Sequence, residues 1–361
     1  MSKQLFHYYF EVPEARDDEN YEQVSRDVLK NKIQHINSLK TRIDNYYDAS
    51  RKYNIWNCMS RDLHPYEGIV DFFQDSIRCV SRAFYKLTEI LISFDIIIPP
   101  RSSSGLTCNN TLHLCEAPGG FIQSCLLYYG DAIDRFYTIS IDSTIKYHKD
   151  IRKSQRGTIF IRDLTIENEF DETIEHLPQE GFPLITADGA FDVSNNYENQ
   201  EHSTFDLLFN EISMALSCQA PGGSFIIKVF DCLLPKTWNL IVWLKSCYEH
   251  VYICKPPSSR PVNSERYCVC KGFREHKYYR PFIERESQDW LPRFRSKLIS
   301  DMLDYQISNL EKVFAHIRIA EETSNNSNEA NLARKERINL ASQGEKQYNS
   351  IYGNILTTFS T

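Results

Sequence analysis

The chain has 361 residues, 42% of them hydrophobic, which admits one large α/β domain with helical additions, or two small domains, and enough apolar material for a sizeable core. A formal net charge of −7 excludes a protein that coats nucleic acid indiscriminately, because phosphate neutralisation dominates such binding. No apolar run is long enough to span a bilayer and the N-terminus lacks the apolar core of a signal peptide, so a soluble, intracellular protein without membrane contact is expected.

In chain order, residues 1–20 are polar and acidic and read as a loose or strand-like arm. Over 21–60, Val24, Val28, Leu29, Ile33, Ile36, Leu39 and Ile43 recur at three-to-four spacing, which predicts an amphipathic helix. A second helix is predicted over about 66–94, broken by Pro99-Pro100 and the serine run after it. From 111 onward short apolar runs alternate with helical patterns, the sign of a mostly parallel sheet covered on both faces. Strands are predicted at 111–117, 136–142, 157–163, 183–188, 224–230, 250–255 and 266–272, with helices notably over 203–218 and 236–247. The last two strands are separated by about ten residues, fewer than a helical crossover needs, so the seventh should return antiparallel to the sixth. The expected fold class is α/β, a seven-stranded, Rossmann-like variant of the doubly wound sheet. Residues 284–322 read as one or two helices, SNNSNEAN as a polar linker and the remainder as a weak helix or tail. The expected divisions are an N-terminal arm and helix (1–60), a main domain (61–280) and C-terminal helices with a polar tail (281–361).

Eleven cysteines, among them Cys115, Cys125, Cys247, Cys254 and Cys268, sit mostly inside apolar runs without CxxC pairs or zinc spacing, and read as buried thiols rather than metal ligands. Charge is unevenly distributed. Residues 226–280 carry ten Lys/Arg against four acids, whereas 11–22 carry six acids against one Arg. A local basic face on an acidic chain suits brief contact with a short nucleic-acid segment.

In LHLCEAPGGF (112–121) an apolar strand runs into a Pro-Gly-Gly turn and then a helix start. Glycines there let the backbone pass close to a ligand at the carboxyl edge of the sheet. The turn alone is common to many strand–helix joints, and there is no GxGxxG, so a dinucleotide is not expected. Asp142 and Asp163, at the ends of the next two strands, add carboxylates suited to a ribose diol and an adenine amino group. Those are parts of S-adenosylmethionine, and Glu116, Ala117, Pro118, Gly119, Gly120, Phe121, Asp142 and Asp163 form the candidate cofactor site.

Asp188 ends the fourth main strand and Lys228 lies within the apolar run FIIKVF of the fifth. An ammonium in such a run needs a partner, because burying it alone is costly. From these two residues alone, an ordinary buried ion pair reads equally well. Lys86 in SRAFYKL and Glu265 in SSRPVNSERY extend the set to Lys-Asp-Lys-Glu. With that set the chain resembles the RrmJ/FtsJ class of RNA ribose 2′-O-methyltransferases, over about residues 60–273 and most closely the mRNA cap methyltransferases of eukaryotes and viruses. MSRDLHPYEGI, SRAFYKL, CEAPGGF, ADGAFDV, MALSCQAPGGSFIIKVFD and KPPSSRPVNSERYCVCKGF carry the likeness.

The resemblance implies a class I methyltransferase fold, S-adenosylmethionine as methyl donor, no metal, and a capped mRNA substrate, with rRNA or tRNA and a non-catalytic RNA-binding scaffold as alternatives. It implies that Lys228 takes the 2′-hydroxyl proton or holds that oxygen, that Lys86 and Asp188 position it, and that Glu265 steadies the lysines. Two carboxylates oppose any lowering of the lysine pKa, so the set is expected to work more through orientation than basicity. Arg82, Ser259, Arg260, Asn263 and Ser264 are candidates for RNA backbone contacts. A cationic methylguanine favours stacking between aromatic rings with an acid at its edge, for which Tyr53, Trp56 and Glu198 are candidates. Counted from Asp188 without gaps, Tyr197 rather than an acid takes the place matching the cap enzymes. Other capping or transcription components are the expected protein partners, with a nuclear location for a cellular protein and cytoplasm or virion for a viral one.

Overall fold

A computed structural model describes residues 2–48, 53–73, 77–98, 109–190, 200–274, 292–322 and 328–358. Its centre is an eight-stranded mixed sheet. The strands are β1 (Tyr8–Glu11), β4 (Thr111–Leu114), β5 (Phe136–Ser140), β6 (Gly157–Ile161), β7 (Phe182–Ala187), β8 (Gln219–Phe230), β9 (Tyr248–Lys255) and β10 (Glu265–Phe273), while β2 (Tyr47–Asp48) and β3 (Tyr53–Asn54) make a separate small hairpin. The spatial order is β1-β9-β10-β8-β7-β4-β5-β6. From β8 to β6 all neighbours are parallel, and β10 runs antiparallel to both β8 and β9. The predicted return of the last strand is therefore present, inserted between its two predecessors. The sheet has eight strands rather than seven because Tyr8–Glu11, from the polar arm, pairs antiparallel with β9, Tyr8 opposite Lys255. Its apolar content is too short to announce a strand by itself, and an edge of β9 supplies the partner.

The two N-terminal helices differ from the sequence expectation. The first covers Arg26–Arg42, capped by Ser25, and gives way to a 3-10 turn and the β2–β3 hairpin before a second helix, Ile55–Asp62, starts at Asn54. Asp44, Asn45, Asp48 and Asn54 favour such a break, since their short polar side chains satisfy backbone groups outside a helix. The expected helix over 66–94 is likewise two pieces, Ile69–Phe72 and Ala83–Ser93. Between them the backbone bonds elsewhere: Val80 N–H donates to Gln123 Oε1 at 2.7 Å and Gln123 Nε2 to the Arg78 carbonyl at 3.0 Å. That break starts the helix carrying Lys86 beside the Pro-Gly-Gly turn after β4.

Apolar strands are buried on both faces, with every residue of β4 and of β7 buried. The long helix Pro292–Glu322 packs along Arg26–Arg42 and contributes Leu298, Met302, Leu303, Leu310 and Ile317 to the principal core. No helix of the described residues is long and apolar enough to cross a membrane.

A buried cation joins this helix to the sheet. Arg266 on β10 is 1% exposed; it donates to Asp231 Oδ1 at 3.1 Å and the Ser264 carbonyl at 2.7 Å, while Gln306 of the helix donates to the Val262 carbonyl at 2.9 Å. Burial works to raise the Asp231 pKa, but Lys40 and Arg266 outweigh it and hold the carboxylate low. Arg266→Ala leaves a buried carboxylate short of a partner, and urea unfolding at neutral pH should show a loss of about 3–5 kcal/mol.

Candidate active site

Four elements meet at the carboxyl edge of the parallel strands. Asp188 follows the last residue of β7, whose Ala187 lies beside Ile227 of β8; Lys228 is the next residue of β8, opposite Tyr267 of β10. Glu265 opens β10 opposite Phe230, and Lys86 approaches from the helix Ala83–Ser93. The result is two adjacent ion pairs. Lys228 Nζ lies 3.1 Å from Asp188 Oδ1 and donates to the Asp188 carbonyl at 2.6 Å. Lys86 Nζ lies 2.7 Å and 2.8 Å from the two oxygens of Glu265.

The electrostatics follow from this pairing. Burial pulls the Lys228 pKa down, yet Asp188 and Glu265 outweigh it and keep the ammonium above its ordinary range. Burial also acts against the Glu265 carboxylate, but Lys86, Lys228 and Lys255 bring its pKa down to about 2. Lys228 and Glu265 are thus both charged at neutral pH in this state. Tyr267 OH donates to Asp188 Oδ1 at 3.0 Å and fixes that carboxylate from the neighbouring strand.

Lys255, at the end of β9, carries the same signal as Lys228, a lysine in an apolar strand, and lies beside the charged set. It is 1% exposed and donates to Asn263 Oδ1 at 2.6 Å, to the Glu265 carbonyl at 2.7 Å and to the Ser259 hydroxyl at 3.3 Å. Burial, with Arg266 nearby, drives its pKa well down. Glu67 gave no local signal. Its carboxylate receives Arg260 at 2.9 Å and 3.2 Å, from 193 positions away, with Arg82 at 3.4 Å and the nearby His64 at 3.2 Å.

The RNA-contact candidates divide. Arg260, Asn263 and Ser264 line an open cleft of about 450 Å³ that also exposes Lys228, Glu265 and Trp56. Arg82 donates to the carbonyls of Glu67 and Ser258 at 3.1 Å and 3.0 Å. Ser259 is fully buried with its hydroxyl donating to Glu265 at 2.9 Å, and the Ser264 hydroxyl donates to Gln200 at 3.0 Å. Of the cap candidates, Trp56 is mostly buried and its indole N–H has no partner among the described residues. The Tyr53 side chain and Glu198 lie outside the described residues.

The cofactor candidates divide as well. The parallel register sets the loops after β4, β5 and β6 side by side, bringing Ala117, Pro118, Gly119 and Gly120 to the same edge as Asp142 and Asp163. Gly119 has φ 103°, and a methyl on Gly120 would collide with Ser81 Oγ and come within 2.9 Å of the Phe84 nitrogen. Asp142 is exposed and paired with Lys146; Asp163 accepts from Thr165 N–H at 2.9 Å. Glu116 instead turns inward, its carboxylate fully buried against His113 at 3.1 Å and the Thr186 hydroxyl. Phe121 is fully buried too, its ring 5.9 Å from that of Tyr267. These two shape the loop from behind, while the glycine turn and two edge carboxylates present a surface suited to a nucleoside.

The family model of FtsJ-like methyltransferases matches residues 79–273, more than half of the chain and all four members of the charged set. The chain belongs to the FtsJ-like methyltransferase family. Similar curated proteins include a cap-specific mRNA (nucleoside-2′-O-)-methyltransferase 2 of Pongo abelii, 25% identical over 296 residues, covering 75% of this chain and 36% of that protein. A cap-specific mRNA (nucleoside-2′-O-)-methyltransferase 1 of Bos taurus is 31% identical over 235 residues, covering 58% and 27%. The corresponding enzyme of Autographa californica nuclear polyhedrosis virus is 27% identical over 212 residues, covering 58% of this chain and 78% of the viral protein. This FtsJ-like chain thus spans about a third or less of the two mammalian relatives.

Behind the FtsJ-like site lies one further acid. Glu211 is 2% exposed, and a methyl on Gly189 would collide with its Oε1. Burial raises its pKa to about 8, Lys228 opposing and Asp188 adding. A folded-state pKa above the unfolded value of 4.5 contributes stability in full below 4.5 and loses it as pH rises through 8. Glu211→Gln mimics the neutral acid, so urea unfolding at several pH values should show the variant gaining on wild type from about pH 4.5 to 8 and levelling off above.

Proposed function

We propose that this chain transfers a methyl group to a ribose 2′-hydroxyl of RNA, and that its target is the first transcribed nucleotide of capped mRNA. The observation that carries the reading is the pair of adjacent ion pairs, Lys86–Glu265 and Lys228–Asp188, with Lys228 and Glu265 opening onto the cleft beside Trp56, Arg260 and Asn263. The names of the relatives support the cap as the substrate feature.

S-adenosylmethionine, held by Pro118–Gly120, Asp142 and Asp163, would supply an already activated methyl group. The protein's task is then alignment. A ribose hydroxyl is a weak nucleophile, and Lys228, kept as an ammonium by its carboxylates, is placed to hold the 2′-oxygen by hydrogen bonding with a lone pair free for attack, while the proton the hydroxyl gives up on methylation passes to water in the open cleft. Asp188 fixes the direction of that ammonium, and Lys86 and Glu265 balance the charge around it. Arg260 and Asn263, with Arg82 beside them, would meet the RNA backbone. Ser259 and Ser264 would shape the cleft from within. Trp56, with Tyr53 and Glu198, is the proposed cap-binding group.

The test is transfer from labelled S-adenosylmethionine to short RNAs ending in a 7-methylguanosine cap, an unmethylated cap or a triphosphate. Label should enter a ribose of the capped RNA, and Lys228→Met, which fills the strand position but leaves Asp188 without its cation, should lower the rate by about 10²–10⁴-fold, read at a temperature below the variant's own, lowered unfolding transition. Equal labelling of uncapped RNA would move the target to another RNA class. Cofactor binding without transfer to any RNA would replace the enzyme with a binding scaffold.

A further inference from the structure

The helix Asn328–Tyr348 lies beyond the segment that matches the family, yet it reaches a carboxylate one helical turn from Lys86. Glu89 is completely buried. Its Oε1 accepts from Tyr348 OH at 2.7 Å, and its Oε2 accepts from the Ser258 N–H at 3.1 Å and the Ser258 hydroxyl at 3.0 Å. The next residue, Ser259, donates to Glu265 Oε1 at 2.9 Å, and Glu265 is paired with Lys86. Lys86 and Glu89 are three residues apart on one helix, so their side chains leave neighbouring positions of the same face.

A closed circuit results. Two consecutive serines bridge two carboxylates, and the helix Ala83–Ser93 returns from Glu89 to Lys86. Tyr348 enters that circuit from outside. It is itself fully buried, its ring 6.0 Å from Tyr66 and 4.8 Å from Tyr352, whose hydroxyl meets Ser93 Oγ at 3.0 Å on the same helix. Nearby, Gly344 is seated so closely on the Pro65 carbonyl that a methyl there would collide with it. The C-terminal helix therefore braces the turn that presents Glu67 as well as the helix that presents Lys86.

We propose that Tyr348 is a positioning residue for methyl transfer, acting through Glu89 and Ser258 to hold Ser259 against Glu265 and so to place Lys86. It touches no reacting atom. Without the tyrosine hydroxyl, Glu89 keeps one anchored oxygen and gains freedom at the other, and the 256–259 turn loses its fixed backstop. Small displacements of groups that align a reaction are costly in rate, which is the reason such a remote hydroxyl matters. The proposal rests on membership of the methyltransferase family and not on the identity of the RNA.

The experiment uses the full chain with Tyr348→Phe, Glu89→Ala and Glu89→Gln. Glutamine at 89 can still accept from Ser258 and donate to the tyrosine oxygen. Hydrogen–deuterium exchange across 256–265 should quicken in Tyr348→Phe and Glu89→Ala and stay at the wild-type rate in Glu89→Gln. With the RNA that wild type methylates, kcat should fall about tenfold in Tyr348→Phe while KM for RNA and for the methyl donor holds, and Glu89→Gln should retain activity. The combined Tyr348→Phe, Glu89→Ala protein should be no slower than Glu89→Ala alone, as expected of groups acting in one unit. Lowered melting temperature with wild-type exchange at 256–265 and wild-type kcat would overturn the proposal and leave Tyr348 as packing only. If wild type methylates no RNA, the exchange comparison still decides this proposal, and the failure belongs to the substrate reading.

Discussion

Withdrawing two ammonium groups and two carboxylates from water at the edge of a sheet is the constraint around which the rest of the molecule is arranged. Each charge alone would be strongly disfavoured in its site, and together they are tolerated only because every one has an opposite partner within 3.1 Å. The same mutual dependence sets their ionisation. Glu265, flanked by lysines, stays charged, and Lys228 stays an ammonium although it is buried. A lysine so held is a poor base in this state and a good hydrogen-bond donor, which shifts the chemistry toward orientation of an oxygen rather than removal of its proton.

That arrangement needs scaffolding that is itself polar. The nine residues 256–264 between β9 and β10 are packed mostly inside the protein, so their backbone groups require partners that water would otherwise supply. His7 meets the Ser259 carbonyl at 2.8 Å, His64 the Pro257 carbonyl at 2.9 Å, Arg82 the Ser258 carbonyl and Glu89 the Ser258 N–H. These four come from the N-terminal arm, the turn after the second helix, and the start and middle of the helix that carries Lys86. The loop is thereby a hub through which chain segments outside the sheet act on the charged set. Lys255 completes it from beneath, linking Asn263, Ser259 and the Glu265 backbone.

Much of the core architecture was legible because its signals are local. Seven of the eight sheet strands announce themselves as short apolar runs, and the short β9–β10 connection forces an antiparallel return. Half of the charged set was legible for a related reason: a lysine within FIIKVF and an acid ending PLITAD break an apolar pattern, whereas Lys86 and Glu265 joined them only through the likeness to a known family. Local patterns misled where a side chain had competing partners. The helix over 66–94 reads as continuous, but Gln123 takes the backbone of Arg78 and Val80. Glu116 shows how little a strand end reveals of a side chain's direction, since its carboxylate is bonded to His113 and Thr186 within the sheet.

The sequence by itself determined which residues are chemically conspicuous, the α/β class and the order of the strands along the chain, since all of these depend on residue type and short-range period. Only the tertiary structure decided the pairings. Lys86 meets Glu265 across 179 positions, Lys228 meets Asp188 across 40, and Tyr348 reaches Glu89 across 259. It also decided that Tyr8–Glu11 becomes an eighth strand and that Tyr348 of a C-terminal helix bonds a carboxylate on the helix that carries Lys86. The physical reason is common to all of them. A hydrogen bond or ion pair between distant segments is selected by which groups are desolvated together, and periodicity along the chain carries no record of that.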